Sequence, residues 1–142
     1  MILSLSITDI KDFMSKFLKD PVFDDFELHS IAIHSFANFE IYKSNIEQNP
    51  PKWAVLRPFA FDIIKGGKTP KSIKAVLAMP GNMLDIPQAT LFLNIFFEDG
   101  KINITSGISQ SGFSLDKTGA QQWNEYITNF LRDNNISFQD NL

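Results

Sequence analysis

Two alternating apolar runs on either side of Asp99-Gly100 restrict the fold more than any other part of the chain. Residues 89–98 and 101–109 place apolar side chains at every second position, the period of a half-buried strand. Asp-Gly suits the positive φ angles of a type I′ turn. A two-residue turn sets the register, so Glu98 faces Lys101, Phe97 faces Ile102 and Ile95 faces Ile104. One face of this hairpin collects Leu91, Leu93, Ile95, Phe97, Ile102 and Ile104. The other carries Phe92, Asn94, Phe96, Asn103 and Thr105. The first is core; the second is half wet or covered by a helix.

The remaining elements follow from period and punctuation. Residues 1–7 alternate as a strand. Thr8 then reads as a helix N-cap, with Asp9 in the first turn where the helix dipole favours it. Ile10, Phe13, Met14, Phe17 and Leu18 form one helical stripe, ended by Asp20-Pro21. Residues 26–34 and 39–46 read as strands around a turn near Ala37-Asn38. The apolar phase slips between Leu28 and Ile31, and one extra residue near His29-Ser30, a β-bulge, restores a common face. A short helix over 57–65 has Pro58 in its first turn and Gly66-Gly67 past its end; Phe59, Phe61 and Ile63 also alternate, which leaves a strand as the other reading. Ile73, Ala75, Leu77 and Met79 share a strand face. A last helix runs from Leu115 or Asp116 to Arg132, with Ala120, Trp123, Tyr126, Ile127, Phe130 and Leu131 on its apolar side, and Asp133-Asn134-Asn135 ends it. Residues 135–142 are expected to be a mobile tail, with Ile136-Ser137-Phe138 as the alternative, an edge strand. The order β-α-β-β-α-β-β-β-α implies one α+β domain over 1–142, a mostly antiparallel sheet with the N-terminal and C-terminal helices packed on it.

Composition excludes several chemistries. The chain has 142 residues, one domain's worth. It contains 14 Phe and no Cys, so disulfides, thiolate metal sites and cysteine nucleophiles are out. The apolar start lacks a basic leader and meets Thr8-Asp9 too soon for a secretory signal, and no run reaches the roughly 18 apolar residues of a membrane span. A cytoplasmic protein without a membrane anchor is the expectation.

Catalytic patterns fail individually. Gly67-Lys68-Thr69 ends like a phosphate-binding P-loop, but Asp62 stands where that loop needs its first Gly, and a carboxylate repels phosphate. Gly107-Ile108-Ser109-Gln110-Ser111 resembles a nucleophile elbow except at its last position, and both His residues precede the Ser rather than follow it. His29 and His34 supply two nitrogens where zinc needs three or four ligands, which would have to come from Asp24, Asp25 or Glu27. Asp24 and Asp25 diverge as sequence neighbours and read as a turn or helix cap. No residue is nominated as catalytic, and no cofactor or metal is implied.

Two positive features are left. Lys52, Arg57, Lys65, Lys68, Lys71 and Lys74 face one acid, Asp62, so residues 52–74 carry +5 in a chain of net charge −3, and the rest sums to −8. Arg57, Lys65, Lys68, Lys71 and Lys74 are thus a candidate anion-binding or partner-binding patch; a solvated face is the plain alternative. The second feature is the 80–87 loop, whose Met83, Leu84 and Ile86 either cover the core or line a contact or pocket.

The segments Ile7-Thr8-Asp9-Ile10-Lys11-Asp12-Phe13-Met14, Arg57-Pro58, Ile64-Lys65-Gly66 and Thr69-Pro70, with Thr105, Gly107 and the Trp123 helix, resemble a family of small uncharacterised bacterial proteins. That family, classed as a domain of unknown function, is known mainly from Gram-positive anaerobes. The resemblance implies a single-domain bacterial protein and brings no activity, cofactor or site. The functional expectation is therefore a non-enzymatic binding or interaction module with its basic segment exposed, working through a protein partner or as a homodimer through a strand edge or the second hairpin face. One alternative is nucleic-acid or phosphate-ligand binding through the basic segment, which the acidic pI near 5.3 disfavours. The other is a small-ligand protein or enzyme with a pocket near 80–87, fed by His29, His34 or Asn94.

Overall fold

The computed structural model describes residues 2–44, 49–65, 69–110 and 118–141. Among them the chain runs β1 (Ser4–Ile7), α1 (Ile10–Leu18), β2 (Glu27–His34), β3 (Asn38–Tyr42), α2 (Trp53–Lys65), β4 (Ser72–Pro80), β5 (Ala89–Glu98), β6 (Lys101–Gln110), α3 (Thr118–Asp133) and β7 (Phe138–Asp140). Single 3-10 turns occupy Pro21–Phe23 and Gly81–Leu84. The strands form one seven-stranded sheet in the order β3-β2-β4-β5-β6-β1-β7, and every neighbouring pair is antiparallel. The protein is a single α+β domain.

The β5–β6 hairpin has the expected register, with Glu98 opposite Lys101, Phe97 opposite Ile102 and Ile95 opposite Ile104. Its turn is left-handed at both positions, φ 54° at Asp99 and 73° at Gly100, as a type I′ turn requires. The expected bulge is also present: the β2–β4 register shifts between Leu28 and Ser30. Leu28, Ile31 and Ile33 consequently share the buried face. That face continues through Ile73, Ala75 and Leu77 of β4, the core residues of β5 and β6, and Leu5 of β1, and it forms one buried cluster with Phe13, Phe17, Trp53, Trp123, Ile127 and Leu131. The strand read over 39–46 ends at Tyr42, and residues 45, 46, 115 and 116 lie outside the described residues; three further details differ from the sequence reading.

First, α1 is capped by Asp9 rather than Thr8: the Asp9 carboxylate accepts from the Asp12 amide at 3.1 Å. A carboxylate at the N-cap satisfies an orphan amide and complements the helix dipole together.

Second, α2 is a helix, as read, but begins at Trp53, so Pro58 lies inside it instead of in its first turn. Trp53 explains the early start. It is fully buried, stacks on Phe17 with ring centroids 4.6 Å apart, and donates from its indole N–H to the Phe17 carbonyl at 2.9 Å. Burying an indole contributes about 1.5–3 kcal/mol, comparable with the helix penalty of an interior proline.

Third, the segment read as a mobile tail holds an edge strand, at Phe138–Asp140 rather than at the alternative Ile136-Ser137-Phe138. Asn135 turns left-handed with φ 58°, its amide bonds the Arg132 carbonyl, and the Ile136 amide bonds the Leu131 carbonyl. These bonds form a Schellman motif, which caps the last carbonyls of α3 and reverses the chain. Ile136 is thereby buried against the core, and β7 pairs with β1, Ile7 opposite Phe138.

Candidate functional site

The five basic residues singled out from the sequence go to different places. Arg57 forms a fork on Asp24, Nε to Oδ1 at 2.8 Å and Nη2 to Oδ2 at 3.0 Å, and its Nη1 donates to the Lys19 carbonyl at 3.0 Å. The side chains are only 20 % and 15 % exposed. Its hydrogen bonds to the Asp24 carboxylate raise the Arg57 pKa above its ordinary value, against the opposing effect of burial. Arg57 therefore ties α2 to the segment after α1 and is committed to that role. Lys65 ends α2 and pairs with Asp62 at 3.2 Å. Lys71 is exposed just before β4, where its amide donates to the His34 carbonyl. Lys74 stands on the other face of the sheet, beside His29, Tyr42 and Phe92. Lys68 lies outside the described residues. Lys74 is thus on a different face from Arg57 and Lys65, which both belong to α2.

The 80–87 loop divides in a similar way. Met83 is 67 % exposed, Leu84 is half-buried, and Ile86 is 4 % exposed. Ile86 fills the space beneath the loop and packs on Gly119 of α3. A cleft of about 130 Å³ lies beside it, lined by Asp85, Ile86, Pro87, Gln110, Gly119 and others. His29, His34 and Asn94 are elsewhere. The His29 ring meets Phe92 edge-on at 5.5 Å, His34 Nδ1 lies 2.8 Å from Asn38 Oδ1, and the Asn94 amide donates to Thr105 at 3.3 Å.

A larger cavity, of about 660 Å³, opens between α1, α2 and the start of β4. Its walls are Ile10, Met14 and Leu18 from α1, Phe61 and Ile64 from α2, and Phe97 from β5. Lys11, Lys19 and Lys65 reach it with Ser15 and Thr69. Helical spacing accounts for the wall: Ile10, Met14 and Leu18 recur at i, i+4 and i+8, while the core-facing Phe13 and Phe17 lie a step round the helix. The α1 stripe is thus wider than the core consumes, and Ile10 and Met14 stay half-buried. The sequence reading found this stripe as one apolar face and proposed no cavity beside it. The excess width, with Lys11 and Lys19 beside it, was the available signal.

The second feature is the sheet face away from the core. The bulge leaves His29 on this face with Ser30. Phe92 and Val76 are half-buried there, Phe96 is 38 % exposed and Tyr42 66 % exposed. The Tyr42 hydroxyl donates to Glu40 at 3.0 Å; loss of that bond and the nearby carboxylate charge both oppose ionisation, so its pKa is raised. This is the second hairpin face of the sequence reading, half wet.

A seven-stranded antiparallel sheet with a cavity between two helices defines a single-domain α+β protein. The chain belongs to the family of unknown function DUF5721, whose profile matches residues 16–139. No curated protein and no solved structure matches it. Among the described residues no helix is long and apolar enough to cross a membrane.

Proposed function

We propose that the chain is a binding module that holds a small apolar molecule in the cavity between α1 and α2. The observation that carries this reading is the combination of size and wall chemistry: about 660 Å³ bounded by Ile10, Met14, Leu18, Phe61, Ile64 and Phe97. Ligand sites are typically concave, about 300–1,000 Å³, apolar-walled and furnished with a few polar groups. The non-enzymatic module expected from the sequence is kept, as is its bacterial, cytoplasmic setting; its binding surface moves from the basic segment to the cavity. The test is fluorescence of neutral 1-aminoanthracene titrated with wild type and with Met14→Trp, which fills the cavity from its wall. Saturable enhancement with wild type and about tenfold weaker binding to the variant are expected. No saturable binding to wild type, or equal binding by both proteins, refutes the reading.

A second reading concerns the uncovered sheet face. Phe96 and Tyr42 expose aromatic area on it, and one cross-strand row runs Glu40, Ala32, Lys74, Phe96. Acid and base two strands apart on one row match each other when two copies pack face to face about a two-fold axis, where each contact occurs twice. The partner proposed for this face is a second copy of the chain.

A further inference from the structure

We infer that the cavity ligand carries an anionic head on a single apolar chain, with Lys19 and Lys65 as the head-group contacts; this rests on the cavity reading above. Both ammonium groups converge on one aromatic ring, Lys19 Nζ at 5.8 Å and Lys65 Nζ at 5.5 Å from the Phe61 centroid. Phe61 is itself a cavity wall, so the two cations mark one end of an apolar space. Like charges brought together repel, and the acid paired there is Asp62, 3.2 Å from Lys65 and 65 % exposed.

Helix geometry accounts for part of this placement. Lys19 is the C-cap of α1 and Lys65 ends α2, positions where the helix dipole favours cations. The dipole explains each lysine singly and would equally allow both to point into water. Lys65 follows Phe61 by four residues, so helical spacing sets that pair, but neither spacing nor dipole explains why Lys19, from the other helix, turns over the same cavity wall. Long lysine stems cover apolar surface while their heads stay wet, which leaves the ammonium groups at the mouth, available to an anion. The tail then runs along Leu18, Met14 and Ile10 towards Phe97. Lys11 stands eight residues before Lys19, roughly 12 Å along the helix, too far to serve the same head group.

Three probes of matched chain, decanoate, decanol and decyltrimethylammonium, separate head from tail by isothermal titration calorimetry at low salt. Decanoate is expected to bind about tenfold or more tightly than decanol and the cation to bind weakest, with the decanoate advantage shrinking at high salt. Lys19→Gln and Lys65→Gln each lower decanoate affinity about fivefold and leave decanol unchanged, whereas Lys11→Gln changes neither. Asp62→Asn removes the competitor for Lys65 and tightens decanoate binding a few-fold. Equal affinity for decanoate and decanol overturns the head-group inference and leaves the cavity reading standing. Decanoate binding that is indifferent to both Lys19→Gln and Lys65→Gln also overturns it. Absence of binding by all three probes sinks both.

Discussion

At the residue scale the Arg57–Asp24 fork shows why composition misleads about function. Arg57 sits in the most basic stretch of the chain, yet its guanidinium is spent on a partly buried carboxylate and a helix-end carbonyl. A planar fork matches a carboxylate in two bonds, which a lysine ammonium cannot reproduce. Arg57→Lys should keep the charge and lose about 1–2 kcal/mol of stability by urea denaturation, since the second bond and the Lys19 carbonyl bond are not remade. Combining it with Asp24→Asn should cost clearly less than the two single losses together, the mark of a direct pair. Additive losses would mean that the fork does not stabilise the fold.

At the element scale α2 is a helix held by its ends and its buried residues in spite of a proline. Pro58 has no amide to give the Ala54 carbonyl, and its ring crowds the preceding turn. Trp53 and Ala60 are fully buried on the inner side, whereas Pro58 is exposed. Pro58→Ala therefore restores a helical bond without disturbing the core and should raise stability by about 1–3 kcal/mol, seen as a higher Tm. An unchanged or lower Tm would show that α2 accommodates Pro58 without the usual interior cost. The C-terminus of α3 has the opposite character: a left-handed Asn135 ends the helix and delivers Ile136 to the core.

At the scale of the whole molecule the sheet is asymmetric, with one face in the continuous core and the other bearing Tyr42, Val76, Phe92 and Phe96 beside Lys74 and Glu40. If a second copy covers this face, light scattering should give twice the 16.1 kDa chain mass. Phe96→Asp should return the chain mass by placing a charge in the contact. Lys74→Glu should dissociate the pair, and adding Glu40→Lys should restore it, because an isologous contact is mended by the swapped charges. Wild type at the chain mass at every concentration would remove the dimer and leave the cavity as the proposed binding surface.

Much of the fold was legible in the sequence because it is written in local periods. The hairpin register follows from one Asp-Gly turn, the β2 bulge from a one-residue phase slip, and the α1 stripe from 3.6-residue spacing. Each of these depends on residues a few positions apart, and backbone geometry links near neighbours strongly. The candidate site was far less legible. Arg57 looked free until Asp24, 33 residues away in sequence, was found against it. Lys19 and Lys65 belong to different helices and meet over Phe61 only after α1 and α2 pack. Likewise, a strand near 136–138 was only the alternative to a mobile tail, and β7 forms because a helix cap turns the chain back onto β1. The sequence by itself determined the elements as far as α3, their order and which faces are apolar, since hydrophobic periodicity and turn chemistry act locally. Only the tertiary structure decided which cations are spent in ion pairs, where a cavity is left and which sheet face stays open, because these depend on chain segments that close packing alone brings together.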